Sequence, residues 1–235
     1  MRNYLNLNNI VIAIFILLEI LNCCFVFIPE IRIFNIKTHQ YISVVFAALF
    51  SLFQVRKLNF NHLAFLFIVI ADLFLTLLRP QILELGLLFF ILSQVCFAIM
   101  IYLDQKEKSK LPNLITRITL SVIGVLVVGI VSKWNLILIL TTIYGVNVIL
   151  NLVCSLMKQK INWLLSVGLI LFILCDVSIG LNAGIDMGMF PEEGDAFYNF
   201  IAGISFNTGW LYYIPCLTLL SLHVIMENKE NKKTY

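Results

Sequence analysis

Charge is what this sequence has least of. Asp, Glu, Lys and Arg make up 12% of its 235 residues, while 61% are hydrophobic. An ordinary soluble domain carries roughly 25% charged residues. So few charges cannot cover so much apolar surface in water, which excludes a soluble globular fold. Histidine is scarce too: His39, His62 and His223 stand far apart, with no two at i, i+4. That spacing supports neither haem nor metal ligation, and all three read as packing near helix ends. The six cysteines, Cys23, Cys24, Cys96, Cys154, Cys175 and Cys216, lie inside apolar runs without CxxC or metal spacing. They read as small buried hydrophobes. GxxxxGK[ST], GxSxG and HExxH are missing, and no inverted repeat marks a transporter.

What the chain does have is long apolar runs. Residues 11–27 contain one charge, Glu19; residues 63–78 contain only Asp72; residues 114–131 contain only Arg117. A membrane-spanning helix needs about 20 mostly apolar residues. The pattern predicts an all-α, polytopic transmembrane bundle with eight spans, near 8–28, 40–55, 60–78, 82–103, 113–131, 135–157, 162–184 and 198–226. Turn and charge signals separate them: Pro29 and Glu30, Arg56 and Lys57, Arg79 and Pro80, a charged loop over 104–112, Ser132 and Lys133, Lys158 to Asn162, and an acidic loop over 187–195. The first run is long, follows a single Arg and lacks a small-residue cleavage pattern, so it reads as an uncleaved helix. The expected organisation is one membrane domain over residues 1–235.

Basic residues orient the bundle. With eight spans, Arg2, Arg56, Lys57, Lys106, Lys108, Lys110, Arg117, Lys158, Lys160, Lys229, Lys232 and Lys233 share one side, twelve in all. The other side holds four: Arg32, Lys37, Arg79 and Lys133. The positive-inside rule places both termini in the cytosol and the acidic loop outside. The net charge of +3 follows from this bias and does not point to nucleic acid. The expected location is a cell membrane, as a multi-pass protein; the oligomeric state is not encoded legibly.

Three carboxylates stand where charge is expensive, Glu19, Asp72 and Asp176. A charge at mid-bilayer costs about 2.5–3.5 kcal/mol on insertion scales, so intramembrane acids are functional candidates by default. Asp72 lies ~18 Å along its helix from Phe60 and Asp176 ~21 Å from Asn162, at 1.5 Å per residue. Their helices run the same way, so both aspartates sit at similar depth in the outer half of the core. They are expected to face one another across an interior cavity. Tyr144, Asn147 and Asn151, at i, i+3 and i+7, and Gln94 would line the same interior. Thr76 and Arg79 follow Asp72 on its face. Glu19 and Asn22 share a face of the first helix, Gly180 would admit a close neighbour, and Pro215 would kink the last helix. The competing structural reading is that these polar groups simply glue helices together. Trp134, Trp163 and Trp210 mark helix ends as an aromatic belt does.

Two blocks carry a resemblance. The first is Ile70-Ala71-Asp72-Leu73-Phe74-Leu75, then Gly86-Leu87-Leu88-Phe89-Phe90 and Gln94; the second is Gly168 through Cys175-Asp176, then Tyr212-Tyr213. They resemble the YhhN-like lysoplasmalogenase family of eight-span membrane proteins, in its small-Asp-x-x-Leu, Gly-Leu-x-x-Phe, Ser-Asp and Tyr-Tyr-x-Ala-Gln motifs. Gln94 stands where that family usually has His, Phe97 at a Tyr, Cys175 at a Ser, and Pro215-Cys216 at Ala-Gln. The resemblance implies hydrolysis of the vinyl ether of lysoplasmalogens to a fatty aldehyde and a glycerophospho-amine. Such chemistry needs one protonated carboxyl and one group to orient or deprotonate water. Asp72 and Asp176 supply both roles with no metal and no cofactor. Gln94, Tyr144, Asn147, Tyr212 and Tyr213 become the expected substrate-binding residues, and the substrate is a lysophospholipid drawn from the surrounding membrane lipids. The alternative is a non-enzymatic carrier or lipid-binding protein whose aspartates bind protons or a cationic ligand.

Overall fold

The computed structural model describes residues 2–53, 59–103, 107–131, 134–157, 163–186, 199 and 206–231. Eight helices in it are long and apolar enough to cross a bilayer, and no strand occurs among the described residues. They are α1 (Arg2–Phe27), α2 (Ile36–Phe53), α3 (Phe60–Asp72, continued by a π-helical turn over Leu73–Leu77), α4 (Leu83–Leu103), α5 (Glu107–Val131), α6 (Leu136–Leu156), α7 (Trp163–Asp186) and α8 (Phe206–Asn231). The breaks expected at Arg56-Lys57, Ser132-Lys133 and 158–162, the acidic loop over 187–195 and the first residues expected of the last helix lie outside the described residues.

Six helices close a ring: α2 packs on α3, α3 on α4, α4 on α6, α6 on α7, α7 on α8, and α8 back on α2. Helix α1 lies outside this ring against α2 and α8, and α5 lies outside it against α6. Burial follows the same division. The spanning window of α8 is 61% buried and that of α5 only 11%, so α8 is wall and α5 is periphery. Lipid tails are as apolar as leucine, so helices associate by close packing at small residues. Gly168 and Gly209 provide this between α7 and α8. A Cβ on Gly168 would stand 2.8 Å from Leu220 Cδ2, and one on Gly209 would stand 3.2 Å from Ile179 Cγ1 and 3.6 Å from the Cys175 carbonyl oxygen. Gly180, expected to admit a neighbour, has nothing within 4 Å of its own Cβ position.

Helix ends are tied by the residues that sequence reading had assigned to packing. Asn59 and His62 form a reciprocal capping box at the start of α3, and the His62 Nε2 meets the Ser51 carbonyl oxygen at 3.1 Å. Arg32 donates to the Phe25 and Val26 carbonyls, which α1 leaves unpaired at its C-terminus. Helix α5 starts earlier than the charged stretch 104–112 suggested. Glu and Lys are good helix formers, and Pro112 falls near enough the helix start that one ladder bond is all it removes. Pro215 lies inside α8 with its ring outward.

Candidate functional site

The two aspartates sit on opposite flanks of the ring, Asp72 on α3 and Asp176 on α7. Each is held by one phenol. Tyr213 of α8 donates its Oη–H to Asp72 Oδ2 at 2.5 Å, and Tyr144 of α6 donates to Asp176 Oδ2 at 2.7 Å. Phe172 stands between the two pairs, one turn before Asp176. Its ring meets Tyr213 edge-on at 5.6 Å, Phe90 of α4 edge-on at 5.9 Å and Tyr144 at 6.3 Å. The carboxyl groups lie within each other's electrostatic reach. Asp72 is buried at 4% exposure, and Asp176 is half-buried as a residue.

Local backbone geometry sets Asp72 apart. The α-helix of α3 ends at Asp72 and passes directly into the π turn, closed by a bond from Leu78 N to Leu73 O at 3.0 Å. Single π turns recur at functional sites because the extra residue re-aims the side chains around it. Gly86 of α4 makes room for this turn: a Cβ there would fall inside the Leu75 side chain. The turn also ends the helix at Leu77, so Arg79 is exposed beyond it and does not continue the face of Asp72 as the sequence spacing had suggested. Thr76 remains buried.

The expected substrate-binding residues fall in three places. Tyr144 and Tyr213 are at the aspartates. Tyr212 is half-buried and packs against the rim of the apolar core. Gln94 and Asn147 belong elsewhere, to a cluster centred on Arg117 of α5. Arg117 donates to Asn113 Oδ1 at 3.0 Å, Asn147 Oδ1 at 3.3 Å and Asn151 Oδ1 at 2.9 Å. Asn151 in turn donates to the Gln94 backbone carbonyl and Oε1 at 2.9 and 3.0 Å. The stripe read on α6 therefore splits, with Tyr144 at the carboxyl pair and Asn147 and Asn151 turned to the guanidinium.

Two buried polar residues escaped sequence reasoning, the first of them at the site. Trp210, expected in an interfacial belt, is 3% exposed and packs edge-on against Tyr213 at 5.1 Å. Its indole N–H has no partner among the described residues, an unusual state for a buried indole. The i, i+3 spacing to Tyr213 was the available signal. Gln40 on α2 is 1% exposed with both amide atoms unpaired, and nothing in the local sequence distinguishes it. Glu19 lies apart, between α1 and α2, where Ser43 donates to it. Neither of two flanking grooves, about 580 Å³ between α2 and α3 and about 610 Å³ among α4, α5 and α6, contains an aspartate.

A family model described as the YhhN family matches residues 10–218. No curated protein and no solved structure matches the chain. The matched segment takes in both aspartates and both phenols and reaches into all eight spans, and the chain belongs to the YhhN family.

Proposed function

We propose that this chain is a membrane-embedded hydrolase that cleaves the vinyl ether of a lysoplasmalogen, with Asp72 and Asp176 as its acid–base pair. The observation that carries this reading is the pair of carboxyls on facing helices, each held by a single phenol. A protonated carboxyl delivers its proton to the β-carbon of the vinyl ether, leaving an oxocarbenium ion. Water adds to the α-carbon and gives up a proton to the second carboxylate. The hemiacetal then collapses to a fatty aldehyde and a glycerophospho-amine with a free hydroxyl. Each step balances without a redox partner. Two interacting carboxyls titrate as a unit, so a window exists in which one holds its proton and the other has lost it. The phenols orient the carboxyl oxygens, and the unpaired Trp210 N–H offers a further donor beside Tyr213. On this reading the protein resides in a cell membrane with both termini cytosolic.

The test is aldehyde release from lysoplasmalogen by detergent-solubilised protein with no ion gradient. A hydrolase produces aldehyde stoichiometric with lysophospholipid loss. A carrier produces none and instead shows proton-coupled flux in proteoliposomes. Topology is tested by cysteine labelling at a position in 187–195 with an impermeant reagent. Labelling only after permeabilisation would invert the orientation.

A further inference from the structure

Arg117 is the feature that the proposed chemistry leaves unused. It lies within the α5 span, eight residues or ~12 Å from Ser109 at 1.5 Å per residue. A guanidinium stays charged in proteins, and intramembrane charges pair or face an aqueous or polar partner. The partners of Arg117 among the described residues are all neutral: the amide oxygens of Asn113, Asn147 and Asn151, with Cys154 Sγ at 4.0 Å. These bonds engage at most four of its five N–H groups and neutralise none of its charge. One Nη1 hydrogen is left over, and the side chain is only part-buried.

The missing counter-charge has a place to sit. The groove of about 610 Å³ among α4, α5 and α6 opens beside Arg117, with Ala98, Ile99, Ile118 and Val122 along its apolar walls and no carboxylate in its lining. Tyr102 lines the end of the groove nearest the α4–α5 connection, and Lys110 Nζ sits over its ring at 5.5 Å. The groove faces outward from the least buried helix of the bundle, where a lipid is the neighbour at hand. Arg117 is the one cation in the lining, with no acid beside it among the described residues, which selects a headgroup with net negative charge over one that also carries an ammonium.

We propose that this groove is a binding site for an anionic phospholipid, with the phosphate against Arg117 and an acyl chain along Ala98, Ile118 and Val122. A charge-assisted bond from the remaining Nη1 hydrogen to a phosphate oxygen would supply the counter-charge, and the amides of Asn113, Asn147 and Asn151 hold the guanidinium in place for it. By the basic-residue count the groove opens to the cytosolic leaflet. The site lies on different helices from the carboxyl pair, apart from the shared α6, and does not depend on the hydrolase reading.

Native mass spectrometry of the full chain in neutral detergent tests this, titrating phosphatidylglycerol and phosphatidylcholine with matched acyl chains. The expected result is one tightly held phosphatidylglycerol and weaker phosphatidylcholine. Arg117→Gln should weaken phosphatidylglycerol binding about 10–100-fold, the range for losing a hydrogen bond to a charged group. Ala98→Trp fills the groove and leaves the guanidinium untouched; it should displace both lipids, and it decides the matter if Arg117→Gln fails to fold. Asp72→Asn should retain phosphatidylglycerol, which separates this site from the carboxyl pair. Equal affinity for the two lipids, or undiminished binding in either groove variant, would overturn the proposal.

Discussion

Glu19, Asp72 and Asp176, the three carboxyl groups away from the span ends, occupy two different kinds of surroundings. Asp72 and Asp176 line a closed ring of helices, face each other's field, and each accepts a phenol O–H from a further helix. Glu19 sits on the flank, between the outer helix α1 and α2. Ser43 is its donor, and Oε1 is buried without a partner among the described residues. Beside it, Asn22 and His39 satisfy one another: Asn22 donates to the His39 carbonyl at 2.7 Å, its Oδ1 meets His39 Nδ1 at 3.0 Å, and His39 Nε2 accepts from Phe34 N at 3.1 Å. That polar cluster joins two helices and contains a single acid. The ring cluster joins four helices and contains two acids with matched donors. Burial of a carboxyl is common to both; a second acid within electrostatic reach of the first is what the ring adds.

Asp→Asn at either ring position should therefore have the largest effect. An amide keeps the size and much of the hydrogen bonding but cannot exchange a proton. Aldehyde release should fall about 10²–10⁴-fold, while thermal stability in detergent changes little, since a neutral amide is easier to bury than an acid. The wild-type activity should be bell-shaped in pH, because both fully protonated and fully ionised pairs are idle. Wild-type rates in both Asn variants would reduce the ring to packing.

The ring also depends on a closeness that the α1–α2 flank does not need. Gly168→Val should push Leu220, which is 1% exposed and has little space to move, and so part α7 from α8. Overpacking of this kind costs about 1–3 kcal/mol, readable as a lowered unfolding midpoint. Activity should fall with it, because α8 carries the donor to Asp72. An unchanged midpoint would show that α7 and α8 adjust freely.

Removing a phenol is milder. Tyr213→Phe or Tyr144→Phe leaves the ring packing intact and deletes one donor to a carboxyl. A hydrogen bond to a group that can ionise contributes about 1.5–3 kcal/mol, so turnover should drop about tenfold or more and the pH profile should move by about one pH unit. A tyrosine that served only as packing would lower the yield of folded protein without moving the profile.

The sequence made the spans legible because hydrophobic length is a one-dimensional property. Eight helices stand close to where the runs placed them, and Asp72 and Asp176 were conspicuous as charges in apolar surroundings. Which partners they take was less legible, because partners come from other helices. The α6 stripe illustrates this. Spacing put Tyr144, Asn147 and Asn151 on one side, yet the curvature of the ring sends Tyr144 to α7 and the two asparagines to α5 and α4. The π turn after Asp72 was also invisible, since i→i+5 bonding has no residue signature comparable to a cap. Trp210 was assigned by habit of composition to the interface, whereas its ring fills the space beside Tyr213.

The smallest effect is expected at Glu19, and it is the sharpest control. Glu19→Gln keeps the side-chain length, can still bond Ser43, and puts one end of an amide where the unpaired oxygen stands. Removing an acid that has no second acid beside it takes away no proton relay, so aldehyde release should stay within about threefold of wild type, well below the general acid–base range. Stability should shift by no more than about 1 kcal/mol, because one net hydrogen bond is at stake. The measurement is the same aldehyde assay and the same unfolding midpoint used for the Asp variants. A hundredfold loss at Glu19 would break the contrast between ring and flank, and would make the α1–α2 cluster of Glu19, Ser43, Asn22 and His39 a part of the machinery.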